Sequence, residues 1–272
     1  MRVLVLGSTG MLGHKMVERL RPKFETVIGV SRPSFDATDS SSVEKVIKFF
    51  KPDAVLNCVG VIKQREQDPR LLEAVNAKLP HDLQAMCPYL VHFSSDCVFS
   101  GNLGRYMETH TPDPVDLYGK TKLAGEVTQV PNTLTIRTSI VGRERNNYKG
   151  LLEWFLRQTG DVQGYKNAFF TGVTTNWLAD VVGDLLKRES RLSGLYHVAS
   201  QRISKFDLLK LFQKTYGKSD VNILPVEAEK CDRSLLAVKF RAATTLAPLG
   251  LEELLYWQKK TDDEGDGYVF SK

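Results

Sequence analysis

Tyr118 and Lys122 lie four residues apart in the stretch 116-DLYGKTKLAGE-126. On a helix, residues at positions i and i+4 share one face, so the phenol and the ammonium would lie side by side. A phenol has a pKa of roughly 10 and gives up its proton poorly at neutral pH, and a neighbouring ammonium would lower that pKa. The pair therefore predicts a general acid that protonates a carbonyl oxygen while hydride arrives at the carbon. The plain alternative is one turn of a surface helix, because this spacing is common.

A hydroxyl group that could hold the reacting oxygen is found at Ser95, within 93-FSSDCVF-99. The preceding residues read as a strand, and open α/β sheets bind ligands at the carboxyl ends of their strands. We therefore predict that Ser95 lies in the same site as Tyr118 and Lys122. Asp96 and Cys97 are expected on the substrate side, where Cys97 contributes shape, because no adjacent base would make it a nucleophile.

Three glycines in 7-GSTGMLG-13 follow a predicted strand and open a predicted helix. In a dinucleotide fingerprint, Gly7 permits the tight turn, Gly10 lets the backbone approach a pyrophosphate and Gly13 allows close helix–strand packing. Free N–H groups and the helix dipole then favour the anion. The other reading is a turn that needs positive φ for packing alone. The predicted cofactor contacts in this loop also include the intervening residues Thr9, Met11 and Leu12.

Cofactor choice is read just after the second predicted strand, at 31-SRP-33. An acid at this position would accept hydrogen bonds from the ribose hydroxyls of NAD, but the sequence has Arg32. A planar guanidinium suits a 2′-phosphate, so the sequence favours NADPH, with NADH as the second option. Asp36 is expected to face the adenine. The alternative for Arg32 is an exposed residue at the end of a strand.

Short apolar strands alternate with helical stretches along the first half of the chain. We predict strands at 2–6, 25–31, 53–60, 89–95 and 133–139, and helices at 11–20, 41–51, 69–86 and 118–129. This order implies right-handed βαβ units and an α/β fold with a doubly wound parallel sheet of the Rossmann type. Residues 1–160 would form the NAD(P)-binding domain, a strand near 194–200 would rejoin its sheet, and 161–272 would be mostly a smaller C-terminal substrate lobe. The acidic tail 261–267 is expected to be mobile.

Composition excludes several classes of protein. The 272 residues are 42% hydrophobic and 25% charged, which is typical of a globular protein. No apolar run approaches a membrane span and the N-terminus lacks a signal-peptide pattern, so we predict a cytoplasmic protein without a membrane partner. The four cysteines and five histidines lack metal-ligand spacing, and no metal is expected; His92 is predicted to be a packing residue. The net charge of +5 is scattered, which fits a small anionic partner and no nucleic acid.

The chain resembles the extended short-chain dehydrogenase/reductases, and within them the dTDP-4-dehydrorhamnose reductases and related nucleotide-sugar reductases. The resemblance covers almost the whole chain. It rests on 6-LGSTGMLG-13, 36-DATD-39, the stretch from Asp68 to Asn76, 94-SSDCVFSG-101, 118-YGKTKLAGE-126 and 136-IRTS-139.

This resemblance implies roles for the residues already singled out. Tyr118 would be the proton donor, Lys122 its electrostatic partner and a ligand of the nicotinamide ribose, and Ser95 the group that binds the keto oxygen. The segment 57-NCVG-60 would line the cofactor, through Asn57, Cys58, Val59 and Gly60.

The resemblance also implies the reaction and further substrate contacts. NADPH would reduce the 4-keto group of a nucleoside-diphosphate deoxysugar, in deoxysugar or surface-polysaccharide biosynthesis, and a homodimer is compatible with the family. Arg233, in 232-DRSL-235, would clamp the diphosphate, with a surface salt bridge as the alternative. Trp154 would stack on a base or sugar, or else belong to the core.

Two departures from the family pattern leave the sugar and the nucleotide open. Relatives usually have tyrosine where this chain has Cys97, and the segment 164–172 differs as well. A 4,6-dehydratase would place Asp-Glu after the catalytic hydroxyl, where Asp96-Cys97 stands. A nucleotide-sugar epimerase, which retains NAD, is disfavoured by Arg32. A non-catalytic NADP-binding regulatory subunit is disfavoured by the complete set of Ser95, Tyr118 and Lys122.

Overall fold

A six-stranded parallel sheet forms the centre of the molecule. The computed structural model describes residues 1–62, 68–145, 148–227, 230–247 and 250–264. The strands, numbered in chain order, follow the order β10-β5-β4-β3-β1-β2. They are β1 (Arg2–Leu6), β2 (Thr26–Val30), β3 (Ala54–Asn57), β4 (Leu90–Ser95), β5 (Thr133–Thr138) and β10 (Gly194–His197). The predicted doubly wound parallel sheet is confirmed.

Helices cover both faces of this sheet, because parallel strands are buried on both sides. In β1, Val3 and Val5 point into one core cluster and Leu4 and Leu6 into another. On the first face α1 packs against α7, and on the second α2 packs against α4. The helices of this part are α1 (Met11–Leu20), α2 (Ser40–Phe50), α3 (Pro69–Leu72), α4 (Leu79–Met86), α5 (Leu117–Ala124), α6 (Leu151–Leu156) and α7 (Thr175–Leu186).

The connection order of the sheet reverses at β1, since β2 lies on one side of it and β3 on the other. Such a switch point opens a crevice beyond the carboxyl ends of the strands. The glycine-rich loop follows β1 directly, so it lies at this crevice.

A smaller lobe is built from short strands and three further helices. Strands β7 and β12 pair with each other, β8 lies between β11 and β13, and β6 pairs with β9. The backbone N–H of Asp232 donates to the carbonyl of Gly101 over 2.7 Å, so the lobe contacts the loop that follows β4. The bounds are β6 (Ile140–Val141), β7 (Gly160–Tyr165), β8 (Ala168–Phe170), β9 (Val173–Thr174), β11 (Ile203–Ser204), β12 (Val221–Val226), β13 (Cys231–Asp232), α8 (Lys205–Tyr216), α9 (Val238–Thr244) and α10 (Leu251–Glu264).

The predicted helix over 69–86 is one continuous helical run, but its middle, Glu73–Lys78, is π-helical. Pro80 has no N–H to donate to the carbonyl of Asn76, which loosens the ladder at this point. The carbonyl of Asn76 is thereby left open to approach from α5.

The prediction that α5 extends to residue 129 is wrong, because the helix ends at Ala124. Gly125 lies against the carbonyl of Asn76, and Glu126 turns inward to pair with Arg137 over 2.7 Å. A continued helix would separate these contacts.

The prediction of a mobile tail is wrong for residues 261–264, which are the last turn of α10. Asp262 reaches Lys15 of α1 over 2.9 Å, and both side chains are buried. Residues 265–267 of the predicted tail lie outside the described residues. Within the described ranges, no helix is long and apolar enough to cross a membrane.

Candidate active site

A cavity of about 460 Å³ lies between the carboxyl edge of the sheet and the smaller lobe. Ser95, Tyr118 and Lys122 line it from the sheet side, and Gly10 lines it from the glycine-rich loop. Residues of the lobe complete it, among them Phe169, Phe170, Lys205 and Arg233. The structure thus brings the three predicted catalytic side chains together with part of the predicted cofactor loop.

A close backbone approach places Tyr118 beside Ser95. A Cβ atom on Gly119 would lie 2.2 Å from the carbonyl oxygen of Cys97, so only glycine lets α5 begin this close to the turn after β4. Asp116 caps the helix by accepting a hydrogen bond from the N–H of Gly119 over 2.8 Å. The Ser95 hydroxyl accepts from the N–H of Cys97 over 3.1 Å, which fixes its position.

Burial raises the pKa of the Tyr118 phenol above its usual value, and a hydrogen bond with Ser95 offsets this only in part. The expected lowering of this pKa is therefore wrong for this structure, because desolvation has the largest influence on the phenol. The Lys122 ammonium instead donates to the carbonyl of Phe93 over 2.6 Å. A phenol with a raised pKa keeps its proton at neutral pH, so Tyr118 is in the protonated form that a proton donor needs.

Lys122 is itself buried, and burial lowers its pKa to about 8, with Glu126 opposing the shift. Glu126 is held by a bidentate pair with Arg137, in which both hydrogen bonds measure 2.7 Å. The Ser94 hydroxyl also donates to Glu126 over 2.6 Å. This network of buried side chains joins the end of α5 to β4 and β5 near Lys122.

The glycine-rich loop has the geometry that a pyrophosphate requires. Gly7 has φ of +79°, which favours glycine, and a Cβ atom on Gly13 would lie 2.1 Å from the carbonyl oxygen of Gly7. Any side chain at position 13 would therefore push α1 away from the loop. Gly13 lines neither cavity and acts through packing, as the fingerprint predicts.

A second cavity of about 380 Å³ continues from the first. Arg32 and Asp36 line its far end, and Gly10, Cys58, Val59 and Gly60 line both cavities. The two cavities form an elongated space from Arg32 to Tyr118, which fits a dinucleotide with a 2′-phosphate. Gly7 and Thr9 line the second cavity, and Met11, Leu12 and Asn57 line the first.

On the substrate side, Asp96, Cys97 and Arg233 line the first cavity. The Arg233 Nε donates to the carbonyl of Phe99 over 2.9 Å, and one terminal nitrogen lies 3.6 Å from the Cys97 sulfur. Burial raises the pKa of the Cys97 thiol to about 12, so the sulfur stays protonated. Cys97 therefore offers a small neutral surface next to the guanidinium.

Trp154 is not brought into the cleft. Its side chain is 39% exposed on α6, whereas Leu152 and Phe155 of the same helix are buried. Trp154 therefore neither lines these cavities nor belongs to the core, because it lies on the outer face of α6.

Sequence reasoning missed Lys205, Phe169 and Phe170 as lining residues. The unusual segment 164–172 drew attention as a departure from the family pattern, and two of these residues lie in it. Lys205 has no motif of its own and comes to the cleft only through the packing of the lobe. Among the described residues, no group of three or more His, Cys, Asp and Glu side chains could hold a metal ion.

Comparisons with known proteins agree with this geometry. A protein-family model described as the RmlD substrate binding domain matches residues 1–238. The dTDP-4-keto-6-deoxy-D-glucose reductase of Streptomyces niveus is 31% identical over 244 residues, which cover 84% of this chain and 83% of that protein. A probable low-salt glycan biosynthesis reductase of Haloferax volcanii, Agl14, is 32% identical over 228 residues, covering 74% of this chain and 75% of that one.

A solved structure extends the likeness to almost the whole chain. The dTDP-4-dehydrorhamnose reductase from Bacillus anthracis str. Ames, in complex with NADP, superposes with a TM-score of 0.83 at 26% identity. The match covers 95% of this chain and 97% of that one.

Proposed function

The chain belongs to the family of the RmlD substrate binding domain, and from this we infer that it is an NADP-dependent oxidoreductase of nucleotide sugars. It reduces the 4-keto group of a nucleoside-diphosphate deoxysugar, in the biosynthesis of deoxysugars. NADPH is the expected reductant, with NADH as the second option.

One observation supports this function more than any other: a phenol, a hydroxyl and a buried ammonium line a single cavity that continues into the glycine-rich loop. Tyr118, Ser95 and Lys122 have the residue types that carbonyl reduction needs, since the oxygen must be held and protonated. The cavity opens toward the lobe, which leaves room for the rest of a nucleotide sugar.

In this proposal the chain's own residues handle the oxygen and the proton. NADPH supplies a hydride to the keto carbon when it is bound. The Ser95 hydroxyl, which donates to Asp96 over 3.2 Å in this structure, would turn its proton to the keto oxygen, and Tyr118 protonates that oxygen as negative charge develops on it. Lys122 stabilises the phenolate that remains and holds the nicotinamide ribose, and its ammonium is kept in place by the carbonyl of Phe93.

The residues that would hold the cofactor fit NADP. Met11 and Leu12, at the start of α1, would offer backbone N–H groups to the pyrophosphate, whereas the N–H of Gly10 donates to the carbonyl of Gly7 over 3.0 Å. Arg32 lines the second cavity and would hold the 2′-phosphate. Asp36 lines the same cavity, but its carboxylate accepts hydrogen bonds from Thr38 at 2.9 and 2.8 Å. The Asp36 carboxylate therefore interacts with its own loop.

The test is NADPH oxidation by the purified protein with a panel of dTDP- and UDP-linked 4-keto-6-deoxy sugars. We expect turnover with at least one of them, and a loss of roughly 100- to 10,000-fold in kcat for Tyr118→Phe, because general-acid catalysis contributes that much. Tyr118→Phe should still bind NADPH. Tyr165→Phe is the matched control, since Tyr165 is 43% exposed and lines neither cavity.

Two outcomes would argue against this function. If NADPH binds but no keto sugar in the panel is reduced, a regulatory nucleotide-binding subunit becomes the better description. If a nucleotide sugar is interconverted at C4 without net oxidation of NADPH, the protein is an epimerase.

A further inference from the structure

Lys205 is a cation in an unfavourable place. It is the first residue of α8, whose N-terminus carries the positive end of the helix dipole, where a cation is disfavoured. Lys205 is partly buried, and this desolvation lowers the pKa of its ammonium. Its ammonium lies 4.1 Å from the centre of the Phe170 ring, and it forms no ion pair with a carboxylate of the described residues. The helix dipole, the desolvation and the lack of an ion pair each disfavour a cation at this position, so a bound anion would stabilise it.

A second cation lies beside it in the same cavity. Arg233 comes from the segment that follows β13, and it is held to the carbonyl of Phe99 over 2.9 Å. The same three side chains, Asp96, Cys97 and Cys231, act electrostatically on both cations, which places Lys205 and Arg233 around one part of the cavity.

The acidic side chain at this end of the cavity is Asp96. Its carboxylate accepts a hydrogen bond from the Ser95 hydroxyl over 3.2 Å. Lys205 and Arg233 thus share this end of the lining with Asp96, while Asp116 acts on Arg233 from outside the lining and Asp207, in the first turn of α8, is hydrogen-bonded to Ser204.

We propose that Lys205, at the start of α8, is a second cation for the diphosphate of the substrate and acts beside Arg233, for which the family resemblance already implies that role. This inference rests on the proposed function, because a nucleotide sugar carries its diphosphate on C1, across the ring from the keto carbon at C4. With C4 at Tyr118, the sugar ring extends toward the lobe and its diphosphate reaches the two cations. Lys205 is then the residue that selects a charged donor sugar over a free sugar.

The test is calorimetric binding of dTDP and of UDP to protein saturated with NADP⁺, with thymidine and uridine as uncharged probes. Lys205→Met should weaken nucleoside-diphosphate binding roughly 10- to 100-fold, the range of a charge-assisted hydrogen bond, and leave nucleoside and NADP⁺ binding unchanged. Lys205→Arg, which keeps the charge, should recover most of the loss. Lys210→Met, an exposed lysine of the same helix, is the matched control.

The inference is overturned if Lys205→Met binds the diphosphates as the unaltered protein does, or if it loses nucleosides and diphosphates equally. It is also overturned if the unaltered protein binds neither diphosphate. The two hypotheses can be tested separately. If the protein reduces a keto sugar but Lys205→Met binds diphosphates with unchanged affinity, only the anion site is rejected. If Lys205→Met loses affinity for dTDP but not for thymidine, and the protein reduces no keto sugar, only the reductase function is rejected.

Discussion

At the scale of the single residue, Lys122 shows how a site is maintained at a cost in stability. Its ammonium is buried, with a pKa of about 8 instead of the usual 10.5, so the folded protein holds a charge in an environment that disfavours it. The shift corresponds to about 3 kcal/mol at neutral pH. A variant that lacks the ammonium would avoid this cost but would leave the carbonyl of Phe93 without this donor, which costs about 1 to 2 kcal/mol.

Lys122→Met should therefore raise the free energy of unfolding at pH 7 by roughly 1 to 2 kcal/mol while abolishing reduction. Because the folded-state pKa lies below the unfolded-state pKa, the cost is complete below pH 8 and disappears as the pH rises toward 10.5. The gain in the free energy of unfolding of Lys122→Met should therefore become smaller over that range, which urea unfolding at pH 7 and pH 9.5 would measure. Lys120→Met, at an exposed position of the same helix, should change neither quantity. A variant less stable than the unaltered protein at pH 7 would contradict this account.

At the scale of the element, two close backbone contacts fix the position of α5. At its start, Gly119 lies against the carbonyl of Cys97, and just past its end Gly125 lies against the carbonyl of Asn76, where an added Cβ would be 2.0 Å away. The Asn76 amide in turn donates to the carbonyl of Val61 over 2.8 Å and holds the loop after β3. The helix that carries Tyr118 and Lys122 is thus located by its neighbours at both ends.

Gly119→Ala should lower kcat by roughly 100-fold or more, since the helix must retreat from Cys97 and a misplacement of about 1 Å is enough for such a loss. It should also cost about 1 to 3 kcal/mol of stability, as overpacking does. Steady-state kinetics with the identified keto sugar and urea unfolding would measure the two effects. Lys120→Ala, one residue further along the helix, serves as the control. Unchanged kcat in Gly119→Ala would show that this contact does not position the site.

At the scale of the whole molecule, three histidines on separate elements are buried in the neutral form. Burial lowers the pKa of His14 to about 4 and that of His197 to about 3, and it lowers the pKa of His92 well below its usual value. They lie in α1, β10 and β4, so their protonation opposes the fold as a whole. Each contributes stability that is complete above about pH 6.5 and is lost as the pH falls below it.

The free energy of unfolding should therefore be lower at pH 5.5 than at pH 7.5, by about 3 kcal/mol from His14 and His197 together and by more once His92 is included. Urea unfolding at the two pH values measures this difference. His92→Leu should reduce the difference, whereas His81→Gln, at an exposed position, should change it little because His81 has only a minor influence on His92. Equal stability at the two pH values would show that the three imidazoles are not held neutral by burial.

The order of strands and helices could be predicted from the sequence because apolar periodicity and glycine spacing are local properties. The switch point at β1 follows from that order, and the residue types of Ser95, Tyr118 and Lys122 identify carbonyl chemistry before any coordinates are known. The catalytic and binding roles assigned to individual residues remain predictions. The ends of helices were harder to predict from the sequence. Helix α5 ends where Gly125 contacts Asn76, and a contact between distant segments leaves no local pattern in the sequence.

Only the tertiary structure decided which groups share the cavity and what their charges do there. It brought Lys205 into the cleft and left Trp154 outside it, because both depend on how the lobe packs. It also reversed the expected direction of the pKa shift of Tyr118, since desolvation depends on all the atoms around the phenol and not on its spacing from Lys122. The sequence by itself determined the kind of chemistry and the frame that carries it, whereas burial, a long-range property, set the protonation states and the shape of the substrate side.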